Sequence, residues 1–234
     1  MAQKKLIRFA AIKAFENVLE YPTNMQGQWP SFFKNQNPLV LELACGKGEY
    51  AVGLGRQFPD KNFIGLDVKG NRMYIGARYA LENKLANVAF LRTEIDKIAG
   101  YFAPGEVSEI WITFPDPQLR LSKAKKRLTH PRFLRLYQQI LQAGGKVNLK
   151  TDSPVLYQFT KMVIELYGLQ TVKDYNNVNV QATEAELLHI KTHYEALDIS
   201  GSGRIHYLQF MLPTAALPDK DEQLKQIISE HEHQ

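Results

Sequence analysis

The chain has 234 residues, 44% hydrophobic and 23% charged, a size and balance that suit one α/β domain with modest additions. Its longest apolar runs are strand-sized, which argues against a membrane span, and MAQKKLIRFAAIKAF lacks the apolar centre of a signal peptide. Cys45 is the single cysteine, so an internal disulfide or multi-cysteine metal site is excluded and a reducing cytoplasm fits. Net charge is +5, yet nine Lys or Arg and no acid fall between Pro117 and Thr151, leaving −4 for the rest. Basicity confined to one segment suits a surface facing a polyanion, or a solvated helix face.

In chain order, Ile7–Glu20 has helical spacing, giving a helical extension over residues 1–37. Pro38–Ala44 (PLVLELA) reads as a buried strand running into CGKGE at Cys45–Glu49, with a helix over Tyr50–Gln57. Asn62–Asp67 is a second strand, Asn71–Asn83 a helix, Val88–Arg92 a third strand and Glu109–Phe114 a fourth. The pattern predicts a helix over Pro131–Gln142, stopped by Ala143-Gly144-Gly145, then a strand over Lys146–Lys150. A helix over Val155–Tyr167 and strands over Leu169–Lys173 and Ile205–Met211 follow. Residues 38–213 thus form one domain, and 214–234 a C-terminal tail or helix. Alternating strands and helices mean a mostly parallel sheet covered on both faces, here of seven strands.

Gly46, Gly48 and Ala51 fit a loose dinucleotide-type turn between a first strand and its helix. Glu42 lies inside that strand, where a carboxylate needs a polar or cationic partner. Asp67 ends the second strand, placed to accept from ribose hydroxyls. NAD and S-adenosylmethionine both suit this turn. The acids Glu42 and Glu49 beside it favour a cationic sulfonium over a pyrophosphate, so a nucleoside cofactor without phosphates is expected. Glu94, just after the third strand, could accept from an adenine amine or be a plain loop carboxylate. Asp116 follows the fourth strand between Pro115 and Pro117, which pre-set its backbone. A structural turn explains that motif as well as a positioned active-site acid does.

LELACGKG, GLD, the acid after LRT, EVSEIWITFPDP, the basic run ending in KKRLTHPRFL, GGKVNLKTD and the T-x-Y-E at Thr192–Glu195 together carry a resemblance. From about Leu39 to about Leu208, the chain resembles the bacterial tRNA (guanine-N7-)-methyltransferases. The resemblance implies a Rossmann-like class I methyltransferase fold with an antiparallel C-terminal strand, S-adenosylmethionine as cofactor, and 7-methylguanosine formation in the tRNA variable loop. It implies cofactor contacts from Glu42, Asp67, Glu94 and Asp116, with Gly46 and Gly48 in the turn, and Asp116 as the catalytic acid. Substrate contacts would come from Arg120, Asp152, Thr192, Tyr194 and Glu195. The family usually carries Trp two residues after this aspartate, where the chain has Gln118, and a basic cluster where it has Leu121 and Ser122.

On that reading Arg120, Lys123, Lys125, Lys126, Arg127, Arg132 and Arg135 would contact tRNA phosphates. No metal is called for, and a monomer or homodimer is expected. His130 reads as a helix-start residue, not a catalyst. Three other readings stay open: a methyltransferase with another acceptor, a tRNA-binding protein without catalysis, and an NAD oxidoreductase.

Overall fold

The computed structural model describes residues 2–182, 185–193, 195–197, 201 and 203–232. In chain order the elements are α1 (Ala2–Ile12), β1 (Val18–Glu20), α2 (Trp29–Phe33), β2 (Leu39–Leu43), α3 (Glu49–Gln57), β3 (Asn62–Asp67), α4 (Gly70–Glu82) and β4 (Val88–Arg92). Then come β5 (Val107–Thr113), α5 (Pro131–Gln138), β6 (Leu141–Thr151), α6 (Pro154–Tyr167), β7 (Gln170–Tyr175), α7 (Val178–Gln181), β8 (His206–Met211) and α8 (Asp221–Glu232). Short 3₁₀ turns cover Ile95–Gly100 and Leu121–Lys126.

The strand order is β1-β4-β3-β2-β5-β6-β8-β7. β1 to β6 pair in parallel, and β8 runs antiparallel between β6 and β7. This is the expected Rossmann-like sheet with one strand more than the expected seven. The addition is β1, inside the stretch read as helical to Glu20. Phe90 N–H donates to Asn17 O at 2.8 Å, and Glu20 meets Arg92 across the pair at 2.5 Å. Three residues at a sheet edge carry too little periodicity to be seen in sequence.

β2 is buried on both faces, as parallel strands are. Leu39, Leu41 and Leu43 belong to a core shared with α2, α5, α6 and α8, while Val40 belongs to one shared with α3 and α4. Small residues let α4 close on the turn after β2: a Cβ at Gly76 would lie 2.5 Å from Lys47 O. α5 ends at Gln138, short of the expected Gln142, because Leu141 already pairs with Val107. Ala143–Gly145 fall where the β5–β6 register shifts, with Gly144 at φ 75°. The C-terminal residues dock onto the domain. Leu217, Leu224 and Ile228 join the α5–α6 core, and Asp221 accepts from Arg135 (2.8 Å) and Tyr167 (2.6 Å). No helix among the described residues is long and apolar enough to cross a membrane.

Candidate active site

The sheet order reverses at β2, which has β3 on one side and β5 on the other. Open α/β sheets hold ligands in the crevice at such a point. The C-terminal ends of β4, β3, β2, β5 and β6 bring Glu94, Asp67, the Gly46–Gly48 turn, Asp116 and Asp152 into one row. With strands ~4.8 Å apart, the row is about 20 Å long.

The first half of the row is held by backbone donors. Glu42 is 3% exposed; its Oε2 accepts from Ala51 N–H in the first turn of α3 (2.8 Å), and its Oε1 from the Thr113 hydroxyl (2.7 Å). The helix N-terminus that would otherwise attract a phosphate is therefore already served by a side chain. Burial, above all, raises the Glu42 pKa to about 8; the two hydrogen bonds lower it, and Asp67 and Glu49 raise it further. Asp67 takes Gly46 N–H on Oδ2 (2.9 Å) and Lys69 N–H on Oδ1 (2.8 Å). Gly46 (φ 56°) and Gly48 (φ 70°) adopt the left-handed conformation that this tight turn requires. The space beside Gly48 is filled by Phe90, 2.2 Å from where a Cβ would sit, so this glycine also serves internal packing.

A cleft of about 350 Å³ opens here, lined by Asp67, Thr93 and Glu94 from the ends of β3 and β4 and by Lys126 and Arg132 from the basic segment. Glu94 is exposed and pairs with Lys97 at 2.5 Å, and Arg132 pairs with Asp96. Thr93 escaped the sequence reading, since a threonine ahead of a loop acid carries no pattern of its own. Its hydroxyl is buried without a hydrogen-bond partner among the described residues. A buried orphan beside two acids fits a hydroxyl- and amine-bearing nucleoside, and the residues present thus fit the expected cofactor.

The second half of the row is built differently. Asp116 is exposed, and its Oδ1 accepts Gln118 N–H at 3.0 Å. On either side Phe114 (φ 46°) and Gln118 (φ 48°) hold left-handed backbone, costing about 1–3 kcal/mol each in non-glycine residues. The loop is held there from outside: Phe114 N–H donates to Lys150 O (2.8 Å), and the Arg127 guanidinium donates to Pro117 O and Gln118 O (3.2–3.3 Å). Asp152 is half-buried directly after β6, and Arg120 is exposed. The buried Thr192 accepts Glu195 N–H on its hydroxyl (3.2 Å), and Glu195 pairs with Lys150 at 2.9 Å. Tyr194 lies outside the described residues. Glu49, beside the glycine turn, accepts His193 N–H at 2.6 Å, fastening this segment to α3.

The basic segment divides. Lys123, Lys125, Lys126 and Arg132 are exposed. Arg127 is not: at 2% exposure, with its guanidinium 4.5 Å from the Phe159 ring centroid and bonded to the Asp116 loop, it has no face toward a phosphate. The expected phosphate contact at Arg127 is replaced by a structural role. Arg135 likewise turns to Asp221. His130 starts α5, accepting Arg132 N–H on Nδ1 (3.2 Å), and burial lowers its pKa to about 4. Among the described residues, no group of three or more His, Cys, Asp or Glu could hold a metal ion.

Residues 36–208 match the family described as "Putative methyltransferase". The chain is 46% identical over 213 residues to a tRNA (guanine-N(7)-)-methyltransferase of Porphyromonas gingivalis, covering 86% of each. It is 42% identical over 221 residues to one of Christiangramia forsetii, covering 90% of this chain and 99% of that one. Among solved structures, the 16S rRNA methyltransferase KamB superposes with a TM-score of 0.60 at 16% identity, over 80% of this chain and 94% of that one. That likeness bears on the fold alone. With its strand-end acids and class I methyltransferase sheet, the chain belongs to the tRNA (guanine-N(7)-)-methyltransferase family.

Proposed function

We infer that the protein transfers a methyl group from S-adenosylmethionine to N7 of a guanosine in the tRNA variable loop, forming 7-methylguanosine. The observation that carries this reading is the 46% identity, over 86% of the chain, to a relative named for that reaction. When bound, S-adenosylmethionine supplies an electrophilic methyl group on a sulfonium. Glu42, Gly46, Gly48, Asp67, Glu94 and Asp116 would hold it, with the Thr93 hydroxyl added by the geometry of the cleft.

Guanine N7 presents an in-plane lone pair, so no proton has to leave before it attacks. The chain must therefore supply alignment and charge, not a strong general base. The base gains positive charge as it is methylated. Asp116 and Asp152, at the ends of neighbouring strands, stand where carboxylates would offset it. Arg120, Thr192, Tyr194 and Glu195 would hold the acceptor base. Lys123, Lys125, Lys126 and Arg132 would position the tRNA backbone with little sequence reading. The protein would work in the cytoplasm, as a monomer or homodimer.

Incubation with radiolabelled S-adenosylmethionine and unmodified tRNA, followed by chemical cleavage at 7-methylguanosine, tests the reading. A single cut in the variable loop is the expected result. Tight tRNA binding without label would make the protein a binder only, and label in another acceptor would move the reaction elsewhere.

A further inference from the structure

Lys150 lies near the end of β6, two residues before Asp152, and its side chain is fully buried. Its ammonium bonds Glu195 Oε2 at 2.9 Å and Ile190 O at 3.1 Å. It also lies 5.4 Å from the Tyr50 ring centroid and 5.3 Å from that of Phe114. Phe114 leads into the Pro115–Asp116 loop, and Tyr50 follows the glycine turn, its hydroxyl donating to Leu187 O at 2.6 Å. One cation thus lies beside the first turn of α3 and the residue leading into the Asp116 loop, and bonds the segment carrying Thr192 and Glu195.

Stability alone does not account for it. A buried ion pair recovers its desolvation cost poorly, and replacing both partners with apolar side chains of similar volume is often as good or better for the fold. Burial lowers the Lys150 pKa, and Glu195 opposes that shift. What an apolar residue would lack is direction. The bond to Oε2 ties that end of the Glu195 carboxylate to β6. The bond to Ile190 O fixes the backbone from which Thr192 and Glu195 project.

We propose that Lys150 is a positioning residue for the acceptor side of the reaction, acting through Glu195 and Phe114. The inference rests on the methyl-transfer reading above. Lys150→Met fills the same space without the charge. The expected outcome is a kcat for tRNA lowered about 10- to 100-fold, the scale of a misplacement near 1 Å. The KM for S-adenosylmethionine should stay within about twofold, while Tm falls because Glu195 loses its buried partner and recovers when Glu195→Gln removes the stranded charge as well. Combining Lys150→Met with Glu195→Gln should cost no more than the worse single change, because both cut one link.

Wild-type kcat in Lys150→Met would overturn the proposal, as would additive losses or a fall in cofactor affinity. Lys150→Gln retains a donor to Ile190 O without charge and is measured alongside. If neither variant folds, Lys150 is a stability residue and the proposal fails. Wild-type protein assayed in parallel separates the two ideas. No 7-methylguanosine from wild type rejects the reaction itself and the positioning role with it, whereas loss confined to the variants speaks for Lys150.

Discussion

The two halves of the strand-end row reach order by different routes. Around β2 and β3, acids are pinned by backbone N–H groups close in sequence: Glu42 to Ala51, Asp67 to Lys69 and to Gly46, at separations of 9, 2 and 21 residues. Around β5 and β6, a buried cation reaches further: Lys150 to Glu195 across 45 residues. A turn with fixed φ values sets the first kind of site as soon as strand and helix form. The second kind exists only once distant segments have packed. The cofactor half should therefore tolerate surface change and respond to pH, while the acceptor half should fail when a single cation is lost.

The largest effect expected on the acceptor half is chemical. Asp116 is exposed and bonded to one backbone N–H, so its removal should leave the fold intact. Asp116→Ala should lower the methylation rate about 10²- to 10³-fold, on the scale of removing one transition-state electrostatic group. Asp116→Asn keeps an acceptor for Gln118 N–H and isolates the charge. Wild-type turnover in Asp116→Ala, read in single-turnover kinetics, would remove the aspartate from the mechanism.

Arg127 is the structural counterpart of that test. Its loss would strand the carbonyls of Pro117 and Gln118 and uncover the Phe159 ring. Arg127→Ala should cost about 1–3 kcal/mol in stability, the scale of an unsatisfied buried polar group. For a chain of this length, that is a Tm drop of about 2–4 °C per kcal/mol. An unchanged Tm with weakened tRNA binding would instead return Arg127 to the nucleic-acid surface.

On the cofactor half, Glu42 should make stability depend on pH. Between its ordinary value of 4.5 and about 8, the folded chain keeps a proton that the unfolded chain has released. This contribution is complete below pH 4.5 and is lost as pH rises toward 8, at up to ~1.4 kcal/mol per pH unit. Glu42→Gln should flatten the curve, gaining on wild type at pH 8 relative to pH 5 in denaturant titrations. Identical slopes in the two proteins would place the pH dependence on other groups. A bound sulfonium would favour the ionised carboxylate, so cofactor binding to wild type near pH 7 should release protons. Calorimetry in buffers of different ionisation enthalpy reads that release.

What could be read from the sequence follows the same division. β3 and β4 have the expected bounds, because buried parallel strands are short apolar runs ending at turn residues. The strand-end acids were legible because topology places the ends of parallel strands together whatever their side chains do. β1 was missed because an edge strand of three residues borrows its order from β4. Thr93 was missed because an unpartnered hydroxyl exists only in three dimensions. The basic run misled in part, since composition cannot say which cations turn inward. Arg127, Arg135 and Lys150 do so: Arg127 toward the Pro117 and Gln118 carbonyls and the distant Phe159 ring, the other two toward acids that the segment does not contain.

The smallest effect on the fold, and the sharpest on that division, is expected at Lys123 and Lys125. Both are exposed on the 3₁₀ turn after the Asp116 loop. Their replacement by Ala should change stability by no more than about 0.5 kcal/mol, as surface changes usually do. If each lysine neutralises one tRNA phosphate, the double variant should flatten the dependence of log K on log salt by about 1.4–1.8. Arg127→Ala, assayed beside it, should lower Tm and leave the salt slope unchanged. A flattened slope in both would mean that Arg127 leaves its pocket when tRNA binds. An unchanged slope in the lysine pair would move the phosphate track away from Lys123 and Lys125, toward Lys126 and Arg132 at the cleft.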